Sequence, residues 1–319
     1  MSRIAVVGAG AWGTALSLQA VRAGHHTTLV ARTEAAASAI RAAGESPRLP
    51  GVRLPDVIEV RGDIPEADLV LWVVPTQHLR TSLGRLTRTG GDVVVCAKGV
   101  EMGTNLLPLE VVASVLPALS TGILTGPNFA GEVARGLPAA SVVASAEADL
   151  RERVQALLGT PAFRLYGNDD PIGAQLGCAA KNVIAIAAGA VMGAGLGENA
   201  RAALVTRGLS ELRRLAVALG GQAETVMGLS GLGDLLLTCT GPSSRNFSLG
   251  FALGRGERLD DILASRSAVT EGVSTAAALV ARAGDIELPI CRSVAELVAG
   301  VRTVDRAIEH LLSRPQRDE

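Results

Sequence analysis

The chain has 319 residues, 48% of them hydrophobic, 19% charged and 2% aromatic, and a formal net charge of −1 at pH 7. That length fits one large domain or two ordinary ones, and the apolar content excludes a disordered chain. The balanced charge excludes a basic field for a nucleic-acid backbone, and the scarcity of aromatics excludes stacking platforms for single strands.

The N-terminus has the outline of an export signal, with Arg3 followed by an apolar run from Ile4 to Leu18. Gly8, Gly10 and Gly13 interrupt that run, so it reads instead as a strand over 3–7, a turn and a helix over 12–23. A second strand is predicted over 26–31. The uninterrupted apolar run at 69–74 predicts a strand buried on both faces, and the largely apolar stretches at 92–97, 122–125 and 140–144 repeat the device. Helical stretches fall between them, for example over 105–116 and 147–158. Strands alternating with helices imply βαβ units and a mostly parallel sheet. Beyond about residue 170 the strand-like runs stop. Long helices are predicted over 171–195 and 198–219, and more over 245–254, 272–283 and 291–312. The expected fold is α/β: a Rossmann-type, doubly wound sheet domain over 1–185, then an all-helical domain over 186–319. The most apolar later stretch, 183–197, holds four glycines in 15 residues and is too short to cross a bilayer. No integral membrane segment is expected, and the chain reads as cytoplasmic.

Cys96, Cys178, Cys239 and Cys291 are widely spaced and form no CxxC, so neither a zinc ribbon nor a redox pair is expected. Four histidines give no histidine-rich metal site. Of the 30 Lys and Arg residues, only Lys98 and Lys181 are lysine. In a chain that uses arginine wherever any cation serves, two surviving lysines point to sites that need a compact ammonium. Lys98 closes the strand predicted over 92–97, at the carboxyl edge where open α/β sheets bind ligands. Lys181 reads as opening a strongly apolar helix, where desolvation favours proton exchange near neutral pH. The plain alternative for each is an ordinary surface lysine.

Gly8-Ala9-Gly10-Ala11-Trp12-Gly13 fits G-x-G-x-x-G, and it follows a strand and opens a helix, the context that gives the pattern meaning. Gly8 allows the tight turn, Gly10 lets backbone approach a pyrophosphate, and Gly13 lets the helix pack close. Helix-start N–H groups and the helix dipole attract the phosphates. After the second strand comes Arg32, with no carboxylate until Glu34. A cation there suits the 2′-phosphate of NADP, although an exposed strand-end arginine looks the same in sequence. Further on, Ser243-Ser244-Arg245-Asn246 precede a helix and suit a phosphate dianion. Asp234 lies after Gly231-Leu232-Gly233, where a buried carboxylate would need a lysine or a substrate hydroxyl as partner; the alternative is a helix N-cap.

Seven segments taken together, GAGAWGTAL at 8–16, CAKGVE at 96–101, TGPNFAGE at 125–132, AAKNVIAIAAG at 179–189, GLGDLLLTC at 231–239, SSRNFSLG at 243–250 and TEGVST at 270–275, resemble the bacterial NAD(P)-dependent glycerol-3-phosphate dehydrogenases. The resemblance runs in order over nearly the whole chain. It implies reduction of dihydroxyacetone phosphate to sn-glycerol 3-phosphate with NADPH or NADH, supplying phospholipid synthesis. It implies Lys181 as proton donor and acceptor, and Lys98 touching both substrate and nicotinamide. Gly126, Asn128, Asp234, Ser244, Arg245 and Asn246 would surround the substrate. Gly8, Gly10, Ala11, Trp12, Gly13, Arg32, Lys98, Ala130, Arg245, Val269 and Glu271 would line the cofactor, NADP or NAD. A phosphorylated small molecule and a second copy of the chain, as a homodimer, are the partners expected. Ala11, Thr33 and Asn128 depart from residues common in that family at those places. Two other readings stand beside this one: a reductase of another small phosphorylated or carboxylated keto compound, and a noncatalytic dinucleotide sensor. The Ser244-Arg245-Asn246 start favours phosphate over carboxylate, and a sensor would need neither lysine.

Overall fold

The computed structural model describes residues 1–86, 91–266 and 270–313. The chain divides into two compact units, Met1–Lys98 with Leu107–Gln175, and Gly99–Leu106 with Leu176–Glu319.

The first unit alternates strands and helices: β1 Arg3–Val7, α1 Ala11–Arg22, β2 His26–Val30, α2 Glu34–Ala43, β3 Ile58–Arg61, β4 Leu69–Trp72, α3 Thr76–Leu83, β5 Asp92–Val95, α4 Pro108–Val115, β6 Thr121–Thr125, α5 Ala130–Ala134, β7 Ala139–Ala144, α6 Ala148–Leu158 and β8 Phe163–Asn168. They build one eight-stranded sheet in the order β3-β2-β1-β4-β5-β6-β7-β8. Every neighbouring pair is parallel except β6 with β7. Ile4 of β1 stands between Thr27 of β2 and Leu69 of β4. The strand order therefore reverses at β1, and its carboxyl end is the switch point where such sheets bind ligands. The residues with the outline of an export signal are thus an interior strand and the start of the first helix.

β4 and β5 are buried along their whole length, which is why β4 is an unbroken apolar run and β5 is apolar after Asp92, whose carboxylate is paired with Arg153. β3 and β8 lie at the sheet's two edges: β3 buries alternate residues, Ile58 and Val60 inside and Glu59 outside, and β8 buries Phe163 alone. Neither carries an apolar run, and neither is predicted from the sequence for that reason.

The second unit is helical: the end of α7 Pro171–Gly193, then α8 Gly197–Ala218, α9 Ala223–Met227, a π-helical turn Leu229–Gly233, α10 Asp234–Cys239, α11 Arg245–Gly254, α12 Leu259–Ala264, α13 Glu271–Ala283, α14 Pro289–Val298 and α15 Val304–Leu312. The single helix expected over 291–312 is two, because Gly300 takes φ +69° and the Thr303 hydroxyl caps α15 at Arg306 N. Contacts group residues 176–185 with the helices rather than with the sheet, although the sequence put the division after 185. Since α7 runs unbroken through both positions, no local signal marks the change. The excursion 99–106 also belongs to the helical unit, where Arg282 Nη1 donates to the Asn105 carbonyl at 3.0 Å.

α7 fills nearly all of the helix predicted over 171–195 and begins well before the 15-residue apolar stretch. Its 23 residues are, by length and composition, enough to cross a membrane, the one such helix among the described residues. Its most apolar window is 89% buried inside the chain. The helix extends N-terminally because Ala174, Leu176, Cys178, Ala179 and Ala180 are also buried.

α7 and α11 cross backbone to backbone. A Cβ at Gly189 or Gly193 would overlap the carbonyl of Phe247 or Phe251, and one at Gly250 or Gly254 that of Ile186 or Ala190. Glycine costs about 1 kcal/mol in a helix relative to alanine, so four at one crossing mark a packing need. Gly250→Ala is expected to destabilise the protein by about 1–3 kcal/mol, because two backbones must separate. Gly131→Ala in α5, where an added Cβ meets nothing within 4 Å, should be neutral or stabilising by about 0.5–1 kcal/mol. Denaturant midpoints of the two variants check the contrast.

Candidate active site

In the sheet unit the turn after β1 is built from its glycines. Gly8 takes φ +120°, its N–H donates to the Val30 carbonyl at 2.9 Å, and a Cβ there would overlap the Val73 carbonyl. A Cβ on Gly13 would overlap the Gly8 carbonyl, with Val6 Cγ1 3.6 Å away. So Gly13 lets α1 close on the turn itself rather than only on the strand. At Gly10 an added Cβ meets nothing within 4 Å. Gly10 is also the N-cap of α1 and has no side chain to cap it. An open face beside an uncapped helix start is a cradle for a phosphate. Ala11 begins the helix. Trp12 is half-buried against the core, and its indole Nε1 is buried without a hydrogen-bond partner. Ser46, which the sequence did not single out, is fully buried and donates to the Ala9 carbonyl at 2.9 Å, fixing the turn from the loop after α2.

Beyond β2, Arg32 is exposed. Thr33 is the N-cap of α2 and accepts from Ala36 N. Glu34, the first carboxylate after the strand, accepts from Arg41 Nη2 at 2.6 Å and from Gly62 N at 2.8 Å. The Arg41 guanidinium and the Gly62 amide hold its carboxyl below the usual range. That acid is committed within the protein.

At the carboxyl ends of β5 and β6 three of the expected residues meet. Lys98 Nζ donates to the Gly126 carbonyl at 3.2 Å. Gly126 takes φ +140°, and a Cβ there would sit 3.0 Å from both Ala140 O and Ser141 Cα. Asn128 donates through Nδ2 to Ala140 O at 3.1 Å and Ser141 Oγ at 2.7 Å. Its Oδ1 is buried without a partner. Ala130 begins α5. Burial pushes the neighbouring Cys96 thiol well up, and Cys239 up to about 12, so neither is a nucleophile at neutral pH. All four cysteines are buried thiols.

In the helical unit, Lys181 lies in the middle of α7 rather than at its head, since the buried apolar run begins earlier. Nor is its setting wholly apolar: Lys181 Nζ is ion-paired and hydrogen-bonded to Asp234 Oδ1, with 6% and 0% of the two residues exposed. The sequence makes this pairing possible at Gly177, one helical turn before Lys181 on the same face. A Cβ at Gly177 would lie 2.6 Å from the Ser230 carbonyl. The π-helical turn therefore comes close against α7, and Asp234, the next residue after it, meets the ammonium. Burying the pair desolvates a neutral couple instead of a lone charge.

Ser244 is the N-cap of α11, buried, its Oγ accepting from Phe247 N at 3.2 Å. Arg245 is exposed at the first position of the helix. Asn246 is largely committed: its Nδ2 donates to Asn182 Oδ1 at 2.9 Å, and its Oδ1 accepts from Gly272 N at 3.0 Å. One Nδ2 hydrogen is left over. Asn182, next to the paired lysine, and Arg266 were not picked out from sequence. Arg266 donates to the Arg245 carbonyl at 2.8 Å and to Ser248 Oγ at 3.1 Å. Glu271 begins α13, half-buried. Val269 lies outside the described residues. Among the described residues there is no cluster of three or more metal-ligating side chains.

The matching families are described as NAD-dependent glycerol-3-phosphate dehydrogenase N-terminus, over residues 3–151, and C-terminus, over residues 170–309. Glycerol-3-phosphate dehydrogenase [NAD(P)+] of Acidiphilium cryptum is 52% identical, covering 99% of this chain and 98% of its own. That of Parvibaculum lavamentivorans is 49% identical over the same shares. The crystal structure of glycerol-3-phosphate dehydrogenase from Coxiella burnetii superposes with a TM-score of 0.94 at 35% identity, covering 98% of this chain and 99% of that one. The uncapped α1 start with its open glycine, the reversal of strand order at β1 and the buried lysine–aspartate pair thus coincide with a full-length match, and the chain belongs to the NAD-dependent glycerol-3-phosphate dehydrogenase family.

Proposed function

We propose that Lys181 is the acid and base of the reaction, and that the side chains around it and at the sheet's carboxyl edge hold substrate and cofactor in the roles given below. The chain is an NAD(P)-dependent oxidoreductase that reduces dihydroxyacetone phosphate to sn-glycerol 3-phosphate. The observation that carries the residue assignment is the buried Lys181–Asp234 pair.

The reduced nicotinamide supplies a hydride to the carbonyl carbon when it is bound. The carbonyl oxygen gains negative charge as the hydride arrives, and Lys181 Nζ stabilises that charge and donates a proton to it. Ketone, hydride and proton then balance as the alcohol. Asp234 keeps the ammonium oriented and charged until transfer, and the neutral amine left behind hydrogen-bonds to the same carboxylate. In the reverse direction the amine accepts the hydroxyl proton. The Arg245 guanidinium, the Ser244 hydroxyl hydrogen and the remaining Asn246 N–H hold the substrate phosphate. Lys98, Gly126 and Asn128 contact the substrate, with Lys98 also facing the nicotinamide. Gly8, Gly10, Ala11, Trp12 and Gly13 receive the pyrophosphate end, while Ala130, Arg245, Val269 and Glu271 complete the cofactor contacts.

Arg32 takes the 2′-phosphate of NADPH. Support comes from Glu34, whose two oxygens are already engaged by Arg41 and Gly62 and so do not compete for a ribose. Arg32→Ala is expected to raise the KM for NADPH at least tenfold and that for NADH less than twofold, read from initial rates with each cofactor. Equal changes would remove the assignment.

The protein is further read as a cytoplasmic homodimer that supplies glycerol 3-phosphate for phospholipid synthesis. Exposed apolar side chains on the helical unit, Leu196, Val217, Met227, Leu236 and Phe251, support self-association. The test of the whole reading is to follow NADPH and NADH oxidation with and without dihydroxyacetone phosphate. Substrate-dependent oxidation that Lys181→Ala abolishes is the expected result. Equal turnover of unphosphorylated dihydroxyacetone would overturn the phosphate roles.

A further inference from the structure

The carboxyl ends of β2 and β3 gather more arginines than their carboxylates can pair. Glu34 is taken by Arg41. Asp63 is gripped at two points by Arg61, Nε to Oδ1 at 2.8 Å and Nη2 to Oδ2 at 2.5 Å, and Arg61 also reaches Glu59 at 3.3 Å. Among the described residues this leaves Arg32 and Arg85 with no carboxylate partner. Arg85 follows α3 and is half-buried. Its Nη2 donates to the Gly62 carbonyl at 2.5 Å and to the Ala31 carbonyl at 3.4 Å. It is thus anchored on the peptide that leads into Arg32. The two bonds occupy one nitrogen, and the N–H groups of Nη1 and Nε make no hydrogen bond among the described residues.

We propose that Arg85 is a second reader of the cofactor's 2′-phosphate, acting beside Arg32 to set preference for NADPH over NADH. The inference rests on the reading of Arg32 given above. A phosphate dianion has oxygens enough for two guanidinium groups, and a planar fork meets it with paired charge-assisted bonds. Arg32 is exposed and must be ordered on binding, whereas Arg85 is already held by two carbonyls and loses less freedom. A ribose hydroxyl, which is all NADH offers there, gains little from either cation. Asp63 lies close enough for Arg85 to help hold its carboxyl below the usual range, but its two oxygens are already engaged by Arg61. The competing role for Arg85 is a strut that ties β2 to β3 through those carbonyls.

The test compares Arg85→Gln, which keeps an amide donor for the carbonyls, with Arg85→Ala and Arg32→Ala in the full chain. The readouts are KM and kcat for NADPH and NADH, inhibition by adenosine 2′,5′-bisphosphate and by AMP, and the melting temperature. For Arg85→Gln we expect the KM for NADPH and the inhibition constant of the bisphosphate to rise about 10–100-fold, a loss of one charge-assisted contact. The NADH and AMP values should move less than threefold, and kcat should hold with both cofactors. If Arg85→Gln shifts both cofactors alike, or neither, while Arg32→Ala stays selective for NADPH, Arg85 is a strut and the proposal fails alone. If Arg32→Ala is unselective too, the reading of Arg32 falls and this proposal with it. A lower melting temperature confined to Arg85→Ala, with Arg85→Gln selective, upholds both roles.

Discussion

Lys181→Arg is expected to lower turnover by about 10²–10⁴-fold, while dinucleotide binding stays within a factor of a few. The substitution keeps positive charge next to Asp234, so the buried carboxylate remains paired. What it removes is the titratable proton, because a guanidinium does not deprotonate in a protein. It also replaces a point donor by a wider fork in a residue that is only 6% exposed, displacing the donor from the carbonyl oxygen. Single-turnover rates report the chemical step, and cofactor fluorescence quenching reports binding. Near-normal turnover would show that charge alone suffices, and would move proton transfer to Lys98 or to water. Lys181→Met serves as a second variant, since it fits the stem of the lysine and supplies no proton.

Asp234→Ala should cost more in stability than any other single change considered, about 3–5 kcal/mol, by leaving a buried ammonium without its counter-charge. The same variant should lose turnover, because the ammonium is no longer held at one place. The two effects separate in the double variant Lys181→Met with Asp234→Leu. Replacing both charges by apolar groups of similar size removes the stranded charge, so most of the lost stability should return while turnover stays absent. Denaturant unfolding of the two single variants and the double completes the cycle. A cost below about 1 kcal/mol for Asp234→Ala would be the value of an exposed pair, and would contradict the burial of the two groups.

The local part of the site is legible in the sequence because it depends on neighbours along the chain. Gly8, Gly10 and Gly13 have fixed spacing, and the strand before them and the helix after them are each short-range patterns. The Ser243-Ser244-Arg245-Asn246 run is likewise placed before a predicted helix by its neighbours along the chain, and the structure makes Ser244 the N-cap of α11. The family resemblance implies roles for Lys98, Lys181 and Asp234 that no periodicity shows. Edge strands β3 and β8 escape because β3 buries only alternate residues and β8 only Phe163, so no apolar run marks them. Ser46 escapes because a lone serine in a loop looks like any other until its hydroxyl is found on the Ala9 carbonyl.

From the amino-acid order alone come the alternation of strands and helices, the glycine turn at the end of β1, the change to helices after residue 170 and the singular pair of lysines. Each is a matter of composition or of spacing within a few residues. The partners are a different matter. Lys181 finds Asp234 across 53 positions, Asn246 finds Asn182 across 64 and Gly272 across 26, and Glu34 finds Gly62 across 28. Those pairings depend on how closely backbones approach: at Gly177 beside the Ser230 carbonyl and at the glycine crossing of α7 with α11 in the helical unit, and at Gly62, where a Cβ would lie 2.5 Å from Glu34 N, in the sheet unit. A buried polar group must be matched once water is gone, and for Lys181 and Asn246 the partner that reaches it is set by helix packing. For that reason Lys181 is not the lone ammonium at a helix start that its neighbours in sequence suggest. It is one half of a neutral, buried pair in mid-helix.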